Sequence, residues 1–431
     1  MTKRIFKRAV VLSLTFFARE ALRKYKPRII AVAGSVGKTS TQNAIHTVLR
    51  TVYSVRKSEK SFNTEIGVPL TILGLPNAWG NPWRWFVNFL RAADLLIFRA
   101  RYPRYLILEM GADVPGDIRH IVSWAKPDIA VITRFGEVPV HVEFFKGREE
   151  LIAEDGLVAE CLRRDGLLLV NEDDPDSLAM RGKTKAKSKS FGFTRAADIV
   201  ASHVQISYGE DGAPAGISCK VDLGGTNAPL RLPGVIGKAQ VYATLPALLI
   251  GDHLGVNLVS GVEALSAHVP PPGRLKLIEG VKRSTIVDDT YNASPVAAEA
   301  ALEALKEVKT KGKKIAVLGD MLELGRSSED EHLRIGKLAG AAADVVVAVG
   351  IRARGIARGA LTAGLTEKNI FQFESSKEAG KFVEGILAEG DIALVKGSQS
   401  MRMERVVEEI MRHPEEKERL LVRQDEEWQK R

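Results

Sequence analysis

Residues 28–41 read Arg28-Ile29-Ile30-Ala31-Val32-Ala33-Gly34-Ser35-Val36-Gly37-Lys38-Thr39-Ser40-Thr41. An apolar, β-branched run meets a glycine loop, and a lysine with three hydroxyl residues opens a helix. This constrains the fold strongly, because a strand must feed a helix through a curl that glycine accommodates best. Successive N–H groups in such a curl face an anion, and the new helix adds the positive end of its dipole. Lys38 can reach the outer phosphates of a nucleotide, and the Thr39 hydroxyl suits Mg²⁺. The spacing is G-x-x-G-K-T-S, shorter than the usual P-loop, and Val32 stands where the first glycine would be. Gly34, Ser35, Val36, Gly37, Lys38, Thr39 and Ser40 are therefore expected to cradle ATP.

From residue 28 to about 190, strand and helix patterns alternate. Strands are expected at Ile29–Ala33, Tyr105–Glu109, Ile129–Thr133 and Leu167–Val170, with helices at 38–50 and 148–164. Alternation of this kind implies a parallel sheet covered on both faces. Ligands collect at the carboxyl ends of such strands, where Gly34, Glu109, Thr133 and Asn171 fall. Short alternating runs between 192 and 235 predict a small antiparallel sheet. Pro270-Pro271-Pro272 is a stiff connector and marks a domain boundary. Beyond it a second alternating region runs to a helix at 400–412, and 414–431 reads as a solvated helix or frayed tail. The expected fold is α/β. A P-loop-type central ATPase domain (28–269) has a mainly parallel sheet plus the small antiparallel one, and a Rossmann-like C-terminal α/β domain (270–413) follows.

The 431 residues carry a net charge of +9, which favours anionic partners. No basic run interleaved with aromatics stands out, so nucleic acid is not expected. Cys161 and Cys219 alone cannot form a disulfide framework, and a reducing cytoplasm fits. Residues 1–27 combine basic positions with an apolar stretch at 9–18, too short to span a bilayer and followed by no cleavage site. This helix either packs on the first domain or lies on a membrane surface. Residues 76–104 look like an insertion holding Trp79, Trp83 and Trp85 among interleaved arginines. They read as a membrane-interface helix or as an aromatic lid packed on the sheet or on the N-terminal helix.

Several strings then belong together: Gly34–Thr41, Ser61–Leu70, Leu108–Ala112, Asp288–Pro295, Val317–Gly325 and Leu394–Glu404. Together they resemble the Mur ligase family over residues 28–412. The closest likeness is to the members that join D-alanyl-D-alanine to a UDP-N-acetylmuramoyl-tripeptide. The resemblance implies phosphorylation of a carboxylate by ATP and attack on the acyl-phosphate by an amine. It implies Thr39 on a first Mg²⁺ and Glu109 with His141 on a second metal, Mn²⁺ being compatible with that oxygen–imidazole set. Arg274 would reach the phosphates, Asp289 would hold the ribose, and Tyr291 and Asn292 would flank the nucleotide. Asn63 and Thr64 would orient the acceptor carboxylate, with Lys396 and Ser398 near the incoming dipeptide.

The likeness breaks at four places. The family's carbamate-forming lysine aligns with Gly156 in Glu150-Leu151-Ile152-Ala153-Glu154-Asp155-Gly156, and Asp155 or Glu154 is expected to supply the missing charge. The adenine string is Gly237-Lys238-Ala239-Gln240-Val241-Tyr242-Ala243, with Gln240 the remaining candidate for the base. Gln399 replaces an arginine, and only about 28 residues precede the loop where the family carries a UDP-gripping domain. A ligase for a different amine and carboxylate, or a nucleotide-binding protein at the membrane that has lost ligation, are the alternatives.

Overall fold

The computed structural model describes residues 2–58 and 63–429; Ser61 and Phe62 lie outside the described residues. The chain builds two sheets. The first contains β1 (Arg28–Ala33), β2 (Val55–Lys57), β3 (Tyr105–Glu109), β4 (Ile129–Ile132), β5 (Leu167–Asn171), β6 (Lys187–Gly192), β7 (Ile199–Tyr208), β8 (Pro214–Leu223) and β9 (Thr226–Pro233), in the order β2-β3-β1-β4-β5-β6-β7-β8-β9. The second contains β10 (Lys276–Glu279), β11 (Thr285–Asp289), β12 (Lys314–Gly319), β13 (Val345–Val349), β14 (Ile370–Phe373) and β15 (Ile392–Lys396), in the order β10-β11-β15-β12-β13-β14.

Strands β1, β3, β4 and β5 are apolar runs buried on both faces, as a parallel sheet requires. The chain leaves β1 through a helix, reaches β2 and β3 on one side, and crosses to β4 on the other. The carboxyl end of β1 is thus a switch point, where a crevice opens. The antiparallel strands are not a separate small sheet: β6 pairs in parallel with β7, and β8 and β9 extend the same sheet. Phe191 with Ile199 and Gly192 with Val200 make this join, which no local pattern signals.

Helix α1 (Thr2–Tyr25) packs against the first sheet's helical layer. Val10, Leu14, Ala18 and Ala21 form a buried stripe at helical spacing, set against α3 (Gly67–Leu73) and α4 (Pro82–Ile97) across α2's sheet from α2 (Lys38–Leu49). Phe17 stacks on Phe89 and Tyr25 on Tyr102. Lys24 Nζ donates to the carbonyls of Leu95, Leu96 and Phe98, satisfying the open end of α4 with a cation. The 76–104 segment thus packs on the N-terminal helix, one of the two placements expected. Its inner face holds Trp85, Asn88 and Ala92, while Trp83, Phe86, Leu90 and Ile97 face outward.

Two further expectations are corrected. The helix expected at 400–412 spans Glu404–Ile410, because Arg402 adopts a left-handed backbone (φ 53) after a 3₁₀ turn at Gln399–Met401. The tail is not a frayed segment through Arg423, since Leu421 and Arg423 are both buried. Leu14 is 0% exposed, so Leu14→Ala should lower the unfolding free energy by about 3 kcal/mol, measured by denaturant titration.

Candidate active site

The loop after β1 is clamped to the end of β4. Ser35 and Val36 donate their N–H groups to Arg134 O at 2.8 and 3.3 Å, and Thr133 N–H donates to Ala33 O. Gly34 has φ +119, and a Cβ there would stand 2.4 Å from Thr133 Oγ1, so backbone and space both demand glycine. Gly37 (φ 85) turns the chain into α2. The Ser35 hydroxyl is buried with no partner among the described residues, a group that a phosphate oxygen would satisfy. Lys38 Nζ donates to Gly34 O at 2.6 Å and so lies over its own loop.

Thr39 joins the two halves. Its hydroxyl donates to Glu109 Oε2 at 2.8 Å and accepts from Arg274 Nη2 at 3.1 Å. The Arg274 guanidinium also lies 3.9 Å from the centre of the Tyr291 ring. Glu109 arrives from the end of β3, while Arg274 and Tyr291 come from the second half of the chain. Two buried oxygens beside a phosphate loop suit Mg²⁺, which takes few protein ligands and completes its shell with phosphate and water. Among the described residues, no group of three His, Cys, Asp or Glu is arranged to hold a metal.

Asp155 faces the loop from the helix Arg148–Glu160. Burial pushes its carboxyl up to about 6; the Lys38 charge and the Gly34 N–H oppose that rise, and Glu154 adds to it. Glu154 instead accepts from Arg119 N–H at 3.0 Å. A Cβ on Gly156 would lie 2.9 Å from the Met180 sulfur, so position 156 faces the core. Of the two acids considered, Asp155 is the one beside Lys38. Asn63 belongs to the same crevice: a Cβ on Gly111 would sit 3.0 Å from its Nδ2 and 3.6 Å from Lys38 Nζ.

Other expected residues are placed differently. His141 is not gathered into a set with Thr39 and Glu109. It has a left-handed backbone (φ 71), and its Nδ1 lies 2.6 Å from Glu323, with Nε2 at 3.6 Å from Asp113. Thr64 serves the start of α3, its hydroxyl accepting from Gly67 N–H and its carbonyl from Val68 N–H. Lys396, 2% exposed, is not at a substrate surface; its ammonium donates to Asp289 Oδ2 at 2.6 Å and to Asn292 O. Asp289 Oδ1 accepts from Leu275 N–H, so each of its oxygens has one partner within the fold. Ser398 is buried, with Oγ accepting from Leu322 N–H, and Asn292 Oδ1 accepts from Ala293 and Gln399 N–H. Gln240 Nε2 donates to Arg274 O, and Ser40 is buried in the first turn of α2. Sequence reasoning missed Arg134 and Glu323, whose roles depend on contacts no motif signals.

Unfolded, the Asp155 carboxyl ionises near its ordinary value, and folded it ionises near 6. Between those values the folded state holds more proton, so this group lowers stability as pH rises through that window and keeps it lowered above. Asp155→Asn should therefore gain stability relative to wild type on going from about pH 4 to about pH 7, measured as denaturation midpoints.

Comparisons with known proteins agree with this geometry. Residues 90–251 match the Mur ligase middle domain, and 273–399 match the Mur ligase, glutamate ligase domain. The UDP-N-acetylmuramoyl-tripeptide–D-alanyl-D-alanine ligase of Bacillus subtilis is 29% identical over 403 residues, covering 93% of this chain and 80% of that one. The ligase of that name from Mycobacterium leprae is 30% identical over 397 residues, covering 86% and 71%. The crystal structure of MurF from Thermotoga maritima in complex with ADP superposes with a TM-score of 0.75 at 28% identity, covering 93% of this chain and 83% of that one. The chain belongs to the Mur ligase family, alongside the MurF ligases.

Proposed function

We propose that this protein is an ATP-dependent amide-bond ligase of peptidoglycan precursor synthesis, joining D-alanyl-D-alanine to a UDP-N-acetylmuramoyl-tripeptide in the cytoplasm. The observation that carries the reading is the Arg274–Thr39–Glu109 chain, which brings a cation from the second half onto the phosphate loop of the first. Residues 28–269 would bind the triphosphate and residues 270–413 would close over it.

The acceptor carboxylate attacks the terminal phosphoryl group of ATP, and ADP leaves. The amine of the dipeptide then attacks the acyl-phosphate carbonyl, loses a proton and expels inorganic phosphate. Both steps crowd anions together, so the protein must supply positive charge without water. The N–H groups that open α2, the dipole of that helix, Lys38 and Arg274 supply it. Thr39 and Glu109 would hold Mg²⁺, which neutralises phosphate charge when bound. Asn63, beside Lys38, is the group we assign to orienting the acceptor carboxylate. Asp155 is assigned to holding Lys38 in place, the negative charge that the family draws from its modified lysine.

Purified protein should release phosphate only when ATP, Mg²⁺, acceptor and dipeptide are all present, with a pentapeptide product by mass spectrometry. Chelation should stop the reaction and added Mg²⁺ restore it. Lys38→Ala should cut turnover by roughly 100-fold or more, as loss of a preorganised charge does. Intact ATP binding with no turnover on this pair would instead favour a different amine and carboxylate, the reading that Gln399 supports.

The reading includes a peripheral membrane contact through α1 and α4. Trp83 (70% exposed), Phe86, Leu90, Ile97 (73% exposed) and Phe98 are outward apolar groups, and α1 adds Leu12 and Phe16. Arg84, Arg91, Arg99 and Arg101 are exposed around them, with no ion-pair partner among the described residues. Apolar side chains ringed by unpaired cations complement an anionic bilayer surface. Among the described residues no helix is long and apolar enough to cross a membrane. The protein should float with vesicles containing phosphatidylglycerol and not with phosphatidylcholine alone, and Trp83→Ser with Phe86→Ser should abolish flotation. Absence of flotation in the wild type would remove this part of the proposal.

A further inference from the structure

The segment after the last long helix wraps back over the loop that carries Tyr291. Arg423, 8% exposed, donates to Tyr291 O at 2.9 Å and to Thr290 O at 2.5 Å. Its Nε and Nη2 also donate to Glu404 Oε2, at 3.1 and 2.7 Å. Glu404 is fully buried and also accepts from Arg402 Nε at 2.5 Å, so one carboxylate holds two guanidinium groups. Trp428 lies over both arginines at 5.8 and 6.0 Å, and its carbonyl accepts from Arg402 Nη1.

Neighbouring tail residues press on the same place. Leu421 is buried in the core beneath β11 and β15, and a Cβ on Gly273 would lie 3.0 Å from Val422 Cγ1 and 2.8 Å from Tyr291 N. Gly273 accepts from Tyr291 N–H and precedes Arg274. The tail thus grips both strands of chain that present the Arg274–Tyr291 pair, and Arg274 in turn contacts Thr39. A buried ion triad of this kind is weak evidence for stability, because desolvating the charges costs about as much as pairing them returns. Its geometric effect is firmer, since five fixed donors on a planar group set the positions of two backbone carbonyls. The match to the Mur ligase, glutamate ligase domain ends at residue 399, short of Arg423 and the tail.

We propose that residues 417–429 are a clasp for the nucleotide site, with Arg423 as its positioning residue. Docked, the tail fixes Thr290 and Tyr291 so that Arg274 is aimed at the phosphates; released, Arg274 loses its stacking partner and nucleotide binds weakly. The inference rests on the nucleotide reading of the phosphate loop. Linkage makes the effect reciprocal: if the docked tail favours nucleotide, nucleotide must favour the docked tail.

The test is amide hydrogen exchange on the full chain with and without Mg²⁺–ADP, beside ADP affinity by calorimetry. In the wild type, ADP should slow exchange across 417–429 as well as in the phosphate loop. Arg423→Gln, which leaves Glu404 paired with Arg402, should weaken ADP binding by about 10-fold, raise KM for ATP more than it changes kcat, and remove the tail's response to ADP. Exchange in β12 and β13 should stay slow, showing that the second sheet remains folded. ADP bound with no slowing of the wild-type tail would overturn the clasp while leaving the nucleotide reading intact, whether or not the variant folds. No ADP binding to the wild type would overturn both.

Discussion

The hydroxyl of Thr39 joins the two halves of the chain at the phosphate loop. It is held by Glu109 from β3 and approached by Arg274 from beyond the three prolines, residues separated by 70 and 235 positions in the chain. A single hydroxyl can donate once and still accept, so it can serve a carboxylate and a guanidinium together. Everything near it has a placement to match. Gly34 brings the loop against Thr133, Gly37 turns the chain into α2, and the Tyr291 ring lies under the arginine. A ligase that must keep an acyl-phosphate from water benefits from a site that is complete only when both halves are present.

Position 156, where the family's modified lysine aligns, faces the core in this chain. Extending Gly156 would drive a side chain into Met180, so that position serves packing. Asp155, one residue earlier, turns toward Lys38 and Gly34. Asp155 thus places a buried carboxylate near the Lys38 charge and the Gly34 N–H.

Much of this was legible in the sequence because the signals are local. The β-branched run of β1, the two glycines and the lysine–threonine pair sit within 14 residues, and their physics needs nothing remote. The apolar cores of β3, β4, β5, β12 and β15 announce buried parallel strands for the same reason. What escaped depends on partners far along the chain. Lys396 reads as a substrate lysine until Asp289 is found 107 residues away at 2.6 Å. His141 matches a metal-binding string, yet Glu323 captures its ring from the other half of the molecule. The tail's charged composition reads as solvated, because nothing in it reveals that Arg423 will meet Glu404 and two carbonyls. The join between β6 and β7 rests on two residue pairs, and strand pairing is chosen by tertiary packing rather than by the strand itself.

The outer faces of α1 and α4 follow a different logic from the core. Their inner stripes pack on one another and on the sheet's helical layer, while Lys24 closes the end of α4. The remaining large apolar side chains stay in solvent beside unpaired arginines, an arrangement that folding alone does not require.

The most direct test of the central claim follows oxygen. With ¹⁸O in the acceptor's terminal carboxylate, activation as an acyl-phosphate must transfer one labelled oxygen to the phosphate released when the amine attacks. Mass spectrometry of that phosphate should find one ¹⁸O per turnover, lost together with turnover in Lys38→Ala. Amide product accompanied by unlabelled phosphate would contradict carboxylate activation at the Thr39–Arg274 junction.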